Sequence, residues 1–320
     1  MSDKRPVVID LRFARESVVA ALRSAFPDRP VIDMGDPANA DRDLSEAEFA
    51  VVWKPDPALF RRATGLKAIF SGGAGVDHIL STYELPDRPI VRFVDRSLTD
   101  RMSEWVVWQC LHHLRNGIAY ASQQRDRVWH EIAEQPEARD VTVGVMGLGV
   151  LGADSVRKLQ VMGFNVIGWS RTAKVIEGVE TFDASGLTSF LAGTDILVGL
   201  LPLTEDTRGL YDRSLFSRLR RTGPLSGPVF LNAGRGGSQK ENELIECLAD
   251  GTLKAASLDV FEKEPLAGES PLWSMPNVII TPHAAAASEV RSLFRHVENQ
   301  IARLERGEPL EFVVNRTSGY

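Results

Sequence analysis

The sequence predicts an α/β protein with two domains, each built on a mainly parallel sheet. Three observations carry that prediction. Short β-branched runs alternate with helical patterns along the chain, as crossover units require. The alternation falls into two series, separated by one long glycine-poor stretch with helical spacing of its apolar residues. The 320 residues, 43% of them hydrophobic, suffice for two ordinary cores.

In the first series the strand candidates are "PVVIDL", "PVIDMG", "FAVVWK", "KAIFSG" and "IVRFV", with "RESVVAALRSAF" as the first helix. The stretch "MSEWVVWQCLHHLRNGIAYASQQRDRVWH" then reads as a single connecting helix. The second series holds six strand candidates: "VTVGVMG", "NVIGWS", "DILVGLL", "PVFLNAG", "AASLDV" and "NVIITP". A final helix, "ASEVRSLFRHVENQIARLERG", precedes a short tail containing "FVVN". If that helix returns to the first sheet, the first domain is discontinuous. The expected layout is a substrate domain of residues 1–97 and 286–320 around a nucleotide domain of residues 98–285, both Rossmann-like or flavodoxin-like.

Composition excludes several function classes. The net charge is −6 and the basic residues are dispersed, which argues against a nucleic-acid surface. Cys110 and Cys247 are the only cysteines, with no spacing suited to zinc, so neither a disulfide framework nor a metal site is expected. No apolar run reaches the roughly 18 residues of a membrane span, and the N-terminus passes directly from charge into a strand pattern. A reducing, cytoplasmic setting with no membrane partner is the expectation.

The segment "VTVGVMGLGVLGADSVRKLQVMGFNVIGWS" reads strand, glycine turn, helix, strand. Gly147, Gly149 and Gly152 fall at the strand-to-helix junction, where backbone N–H groups can approach a pyrophosphate. The loop Gly147, Leu148, Gly149, Val150, Leu151 and Gly152 is therefore the expected dinucleotide site. About 20 residues beyond such glycines an acidic residue normally binds the ribose hydroxyls. Here Ser170, Arg171 and Thr172 occupy that place. A carboxylate repels a 2′-phosphate, whereas a guanidinium pairs with it. The site accordingly favours NADP(H), with NAD(H) as the alternative, and Lys174 adds positive potential.

Ligands in open α/β sheets bind beyond the carboxyl ends of the strands. The last three strands deliver Arg235, Glu264 and His283 there. A 2-keto acid needs a cation for its carboxylate, a proton for its carbonyl oxygen and a hydride for its carbon. Arg235 meets the first need and His283 the second. Glu264 would orient and support the imidazole, and the nicotinamide supplies the hydride.

These residues, together with "GAGVDHIL", "GVMGLGVLG", "GWSRT", "LLPLTEDTRGL", "NAGRG", "LDVFEKEPL", "SPLW", "TPHAAA" and the closing "RTSGY", resemble the D-isomer-specific 2-hydroxyacid dehydrogenase family, and within it the glyoxylate/hydroxypyruvate reductase A type. The resemblance covers nearly the whole chain. It implies that Arg235, Glu264 and His283 form the active site and that the protein is a homodimer joined through the connecting segment. It further implies that Gly73, Ala74 and Gly75 present backbone N–H groups to the substrate carboxylate, and that Trp53 narrows the pocket. Leu200 and Pro202 would pass beside the nicotinamide or its ribose, Ala233 would belong to the same cofactor surface, and Asp259 would lie near the carboxamide. His78, His112, His113, His130 and His296 are assigned to packing or surface. One departure stands out: "SQKENEL" follows "NAGRGG" where the family has an apolar pair and an acidic residue. The expected effect is on the helix cap and its surface contacts. Lys54, beside Trp53, adds a charge that bears on substrate preference.

The expected function is NADPH-dependent reduction of a small 2-keto acid, glyoxylate or hydroxypyruvate, with domain closure excluding water. Two alternatives differ in kind: a reductase for a bulkier acid such as phenylpyruvate, and a non-catalytic nucleotide-sensing protein on the same scaffold.

Overall fold

A computed structural model of the chain describes residues 4–133 and 135–320. The chain divides into two compact units, residues 1–98 with 288–320 and residues 99–287.

The first unit contains five parallel strands, β1 (Val7–Leu11), β2 (Val31–Asp33), β3 (Phe49–Trp53), β4 (Ala68–Ser71) and β5 (Ile90–Val91), in the order β2-β1-β3-β4-β5. This is the doubly wound order of flavodoxin-like sheets. Its helices are α1 (Arg15–Leu22), α2 (Ala58–Arg62) and α3 (Asp77–Leu80). Val8, Ala50, Val52 and Ile69 face a core shared with Leu59 and Phe60 of α2 and Ile79 of α3. All five residues of β1 are buried, four of them apolar and the fifth Asp10, as in a strand covered on both faces.

The second unit is entered through α4 (Arg96–Leu114), whose first residues belong to the first unit. After it come α5 (Gly117–Asp126), β6 (Thr142–Met146), α6 (Val150–Val161), β7 (Asn165–Trp169), β8 (Glu180–Phe182), α7 (Leu187–Ala192), β9 (Ile196–Gly199), α8 (Arg213–Phe216), β10 (Val229–Asn232), α9 (Glu241–Ala249), β11 (Ala255–Leu258) and β12 (Val278–Ile280). The sheet order is β12-β11-β10-β9-β6-β7-β8, all parallel. Counted from β6, this is the Rossmann order extended by one strand, and the order reverses between β6 and β9. Alternate side chains serve opposite faces, as the strand period dictates. Val229 and Leu231 join α4 and α6 in one core, while Phe230 stacks with Tyr211 and Phe216 in the other.

The chain returns to the first unit as α10 (Val290–Glu305), capped by the Glu289 carboxylate on the N–H groups of Arg291 and Ser292. Phe294 of α10 meets Phe26 beyond α1, and the tail pairs with β5 through Val314 N–H on Ile90 O. The first unit thus draws on both ends of the chain.

Two elements differ from the sequence expectation. The connecting segment forms two helices rather than one: Asn116 takes the left-handed conformation (φ 55°), which asparagine tolerates. Gly117 follows because a Cβ there would lie 2.5 Å from the His112 ring. The strand β8 had no counterpart among the six expected, because an exposed three-residue edge strand leaves little hydrophobic alternation to read.

Candidate active site

The glycine turn follows β6 at the point where the strand order reverses. Gly147 has φ +109°, and a Cβ on it would stand 2.7 Å from Leu200 O, the first carbonyl beyond β9. At Gly152 a Cβ would collide with Gly147 O, so α6 can pack closely only with glycine there. Gly149 is different: it is exposed, and a Cβ would meet nothing within 4 Å. The protein itself gives no reason for that glycine, whereas a pyrophosphate drawn against the first N–H groups of α6 does. The residues therefore fit a dinucleotide. Gly149→Ala is expected to leave the thermal midpoint unchanged while weakening NADPH binding about tenfold or more, roughly the loss of one charge-assisted hydrogen bond. Titration of NADPH fluorescence beside a melting curve separates the two effects.

Leu148 is buried in the core, so only its backbone faces the turn, whereas Val150 is exposed and Leu151 half-buried. Beyond β7, Ser170 is buried and its hydroxyl donates to Thr172 O (2.7 Å), shaping the turn that presents Arg171. Thr172 is exposed. The Arg171 guanidinium lies 3.3 Å from Asp206, an exposed pair of the kind that contributes little and yields readily to a better anion. Lys174 reaches back to donate to Leu148 O (2.8 Å), which brings its charge to the glycine turn. Leu200 and Pro202 are half-buried beyond β9, and Ala233 is buried beyond β10.

The three titratable candidates stand at adjacent strand ends. Register pairs Asn232 of β10 with Leu258 of β11, and Leu258 with Ile280 of β12. Arg235, Glu264 and His283 follow from that row. His283 Nδ1 is hydrogen-bonded to Glu264 Oε2 at 2.8 Å, and Glu264 Oε1 accepts from Phe261 N–H at 3.3 Å. The carboxylate engages one ring nitrogen, Nδ1, and so leaves Nε2 as the other polar atom of the ring. His283 itself sits at φ +52°, a conformation that costs a non-glycine residue of the order of 1 kcal/mol.

Arg235 is held by its loop. The buried Asn232 side chain accepts from Gly234 N–H (3.1 Å) and donates to Arg235 O (3.2 Å), and Ser238 Oγ also donates to Arg235 O. Gln239, 1% exposed, accepts from Asn232 and donates to Val260 O. The departure "SQKENEL" was expected to affect surface contacts. Its first two residues are instead buried and fasten the Arg235 loop, because the chain turns inward before α9 begins.

Asp259 is 2% exposed and binds the loop that follows β12: its carboxylate accepts from Thr281 Oγ1 and from the N–H groups of Ala284 and Ala285. Sequence reading had no signal for that contact, which joins residues more than twenty apart.

In the first unit, Trp53 ends β3 with its ring against Gly73, where a Cβ would lie 2.6 Å from the indole. His78 packs on the same indole at 4.3 Å between ring centroids, and Phe13 meets it edge-on at 6.1 Å. His78 is thus a packing residue of the Trp53 cluster. Lys54 is exposed at φ 51°. Gly73 N–H donates to Ser71 Oγ (3.3 Å), while among the described residues the N–H groups of Ala74 and Gly75 have no acceptor.

Comparison with known proteins gives consistent results. The family profile "D-isomer specific 2-hydroxyacid dehydrogenase, NAD binding domain" matches residues 107–285. The chain is 37% identical, over 94% of its length and 95% of the relative's, to glyoxylate/hydroxypyruvate reductase A of Escherichia fergusonii. It superposes with a TM-score of 0.97 and 62% identity on an NADPH-dependent glyoxylate/hydroxypyruvate reductase from Sinorhizobium meliloti, solved with NADP and sulfate, covering 99% of this chain and 100% of that one. A probable 2-hydroxyacid dehydrogenase from Rhizobium etli, solved with NADP, HEPES and L(+)-tartaric acid, gives 0.94 and 64% at the same coverage.

Proposed function

Because the chain belongs to the D-isomer-specific 2-hydroxyacid dehydrogenase family, we propose that it is an NADPH-dependent reductase of small 2-keto acids, taking glyoxylate to glycolate and hydroxypyruvate to D-glycerate. The observation that carries this reading is the His283–Glu264 hydrogen bond, formed after β11 and β12 with Arg235 following the adjacent strand β10, in a sheet with a dinucleotide turn. Bound NADPH supplies the hydride to the carbonyl carbon. Arg235 pairs with the substrate carboxylate through its planar fork of donors. His283 gives the Nε2 proton to the carbonyl oxygen as charge develops there, while Glu264 accepts from Nδ1–H and keeps the ring aimed. The proposal assigns further substrate contacts to Trp53, Gly73, Ala74 and Gly75. It assigns cofactor contacts to the residues from Gly147 to Gly152, to Ser170, Arg171, Thr172, Leu200, Pro202 and Ala233, and to Asp259.

The same reading makes the protein a cytoplasmic homodimer. Fully exposed Trp129, half-exposed Trp108 and Val128, and a helix α5 that buries none of its residues support an apolar face for a second copy. Among the described residues no helix is long and apolar enough to cross a membrane.

Steady-state kinetics with glyoxylate, hydroxypyruvate, pyruvate and phenylpyruvate against both cofactors test the proposal. Glyoxylate and hydroxypyruvate with NADPH should give the highest kcat/KM, and phenylpyruvate the lowest. Arg171→Asp replaces attraction for the 2′-phosphate by repulsion, so the NADPH to NADH ratio of kcat/KM should fall about 10- to 100-fold. An unchanged ratio would remove Arg171 from the account.

A further inference from the structure

We infer that Trp105 and Thr281 are positioning residues for His283, acting through Asp259. The inference rests on the reading of His283 as the proton donor. Trp105 Nε1–H, on α4, donates to Thr281 Oγ1 at 3.1 Å, and Thr281 Oγ1–H donates to Asp259 Oδ1 at 2.5 Å. Asp259 Oδ1 accepts from Ala284 N–H at 2.8 Å, and both its oxygens accept from Ala285 N–H at 3.0 Å. Its backbone carbonyl accepts from His283 N–H at 2.8 Å.

The chain can run in one direction only. An indole N–H donates and never accepts, an ionised carboxylate accepts and never donates, and a hydroxyl owns a single proton. Thr281 must therefore offer its lone pair to Trp105 and its proton to Asp259. Both ends are anchored, since Trp105 is 6% exposed in the core and Asp259 2% exposed.

The His283 loop needs such an anchor. The His283 side chain is 37% exposed, its Nδ1 is hydrogen-bonded to Glu264, and its backbone is left-handed. Packing alone does not hold a half-exposed ring on a strained turn. The turn is fixed from below by Asp259, whose oxygens bind the two residues after His283 while its carbonyl binds His283 itself. The Thr281 hydroxyl fixes the rotation of that carboxylate, and the indole fixes the hydroxyl. Loss of the hydroxyl leaves a buried carboxylate short of a donor and free to turn away from the loop.

Thr281→Val keeps the shape of the side chain and deletes the hydroxyl. Misplacing a reacting group by about 1 Å costs up to about 100-fold in rate, so kcat should fall about 10- to 100-fold. The KM for the keto acid, which this reading assigns to Arg235, should stay within about twofold, below the threshold of a single lost hydrogen bond. Thr281→Ser restores the hydroxyl and should recover most of kcat. Trp105→Phe keeps the ring and removes its N–H, with an expected fall in kcat of about 3- to 10-fold, and no further fall when combined with Thr281→Val, because the two act on one chain. Wild-type kcat in Thr281→Val, equal loss in Thr281→Ser, or additive losses in the double variant each overturn the inference. If Thr281→Val does not fold, Trp105→Phe carries the test, and wild-type kcat there overturns it. An inert wild-type enzyme would instead sink the reading of His283 as the acid, and so is told apart from failure of the positioning role.

Discussion

Alanine at position 283 is expected to lower kcat about 10²- to 10⁴-fold, the usual contribution of a positioned general acid, with little change in KM for the keto acid. The expectation follows from where the imidazole is tied. Its Nδ1 is engaged by Glu264 at 2.8 Å, so Nε2 is the nitrogen proposed to protonate the substrate. That proton moves only as the carbonyl oxygen gains charge, and an interaction realised only then appears in kcat and not in ground-state binding. Glu264→Gln should give a smaller fall, because a neutral amide can still accept from Nδ1–H but supports the imidazolium less well. Stopped-flow or steady-state measurement of NADPH oxidation by the two variants orders them, and a His283→Ala enzyme with wild-type kcat would remove His283 from the chemistry.

The second large effect is expected at Arg235. Arg235→Gln removes the cation proposed to pair with the substrate carboxylate, a charge-assisted contact of about 1.5–3 kcal/mol, so kcat/KM should drop by one to two orders of magnitude. Arg235→Lys keeps the charge but not the fork, and should fall between wild type and Gln. The loop should survive either change, since Asn232, Ser238 and Gln239 hold it through the Arg235 backbone carbonyl and through one another. Unchanged kcat/KM in Arg235→Gln would mean that the carboxylate is bound elsewhere.

Much of this was legible in the sequence, for reasons that differ between elements. Buried parallel strands such as β3 and β9 leave continuous apolar runs, and the turn after β6 leaves three glycines, of which Gly147 and Gly152 are required by close backbone approach. Arg235 and His283 could be located because a strand end is a local event, visible as apolar residues giving way to a polar group. What stayed hidden depends on contacts between distant segments. The Trp105–Thr281–Asp259 chain joins α4 to the ends of β11 and β12, and no spacing announces it. Gln239 looked like a surface residue because polar residues usually are, yet its amide is satisfied on both sides by Asn232 and Val260. The break after Leu114 was hidden because asparagine and glycine within an apolar helical pattern interrupt it only when the chain must turn.

The account turns on Arg235 and His283 meeting one keto acid, and a crystal structure with NADP and oxamate, an unreactive keto-acid mimic, tests that most directly. The predicted result places the oxamate carboxylate on the Arg235 guanidinium and its amide carbonyl oxygen within hydrogen-bond reach of His283 Nε2, with Glu264 still on Nδ1. Oxamate bound with its carbonyl turned from His283, or held by cations other than Arg235, would contradict it.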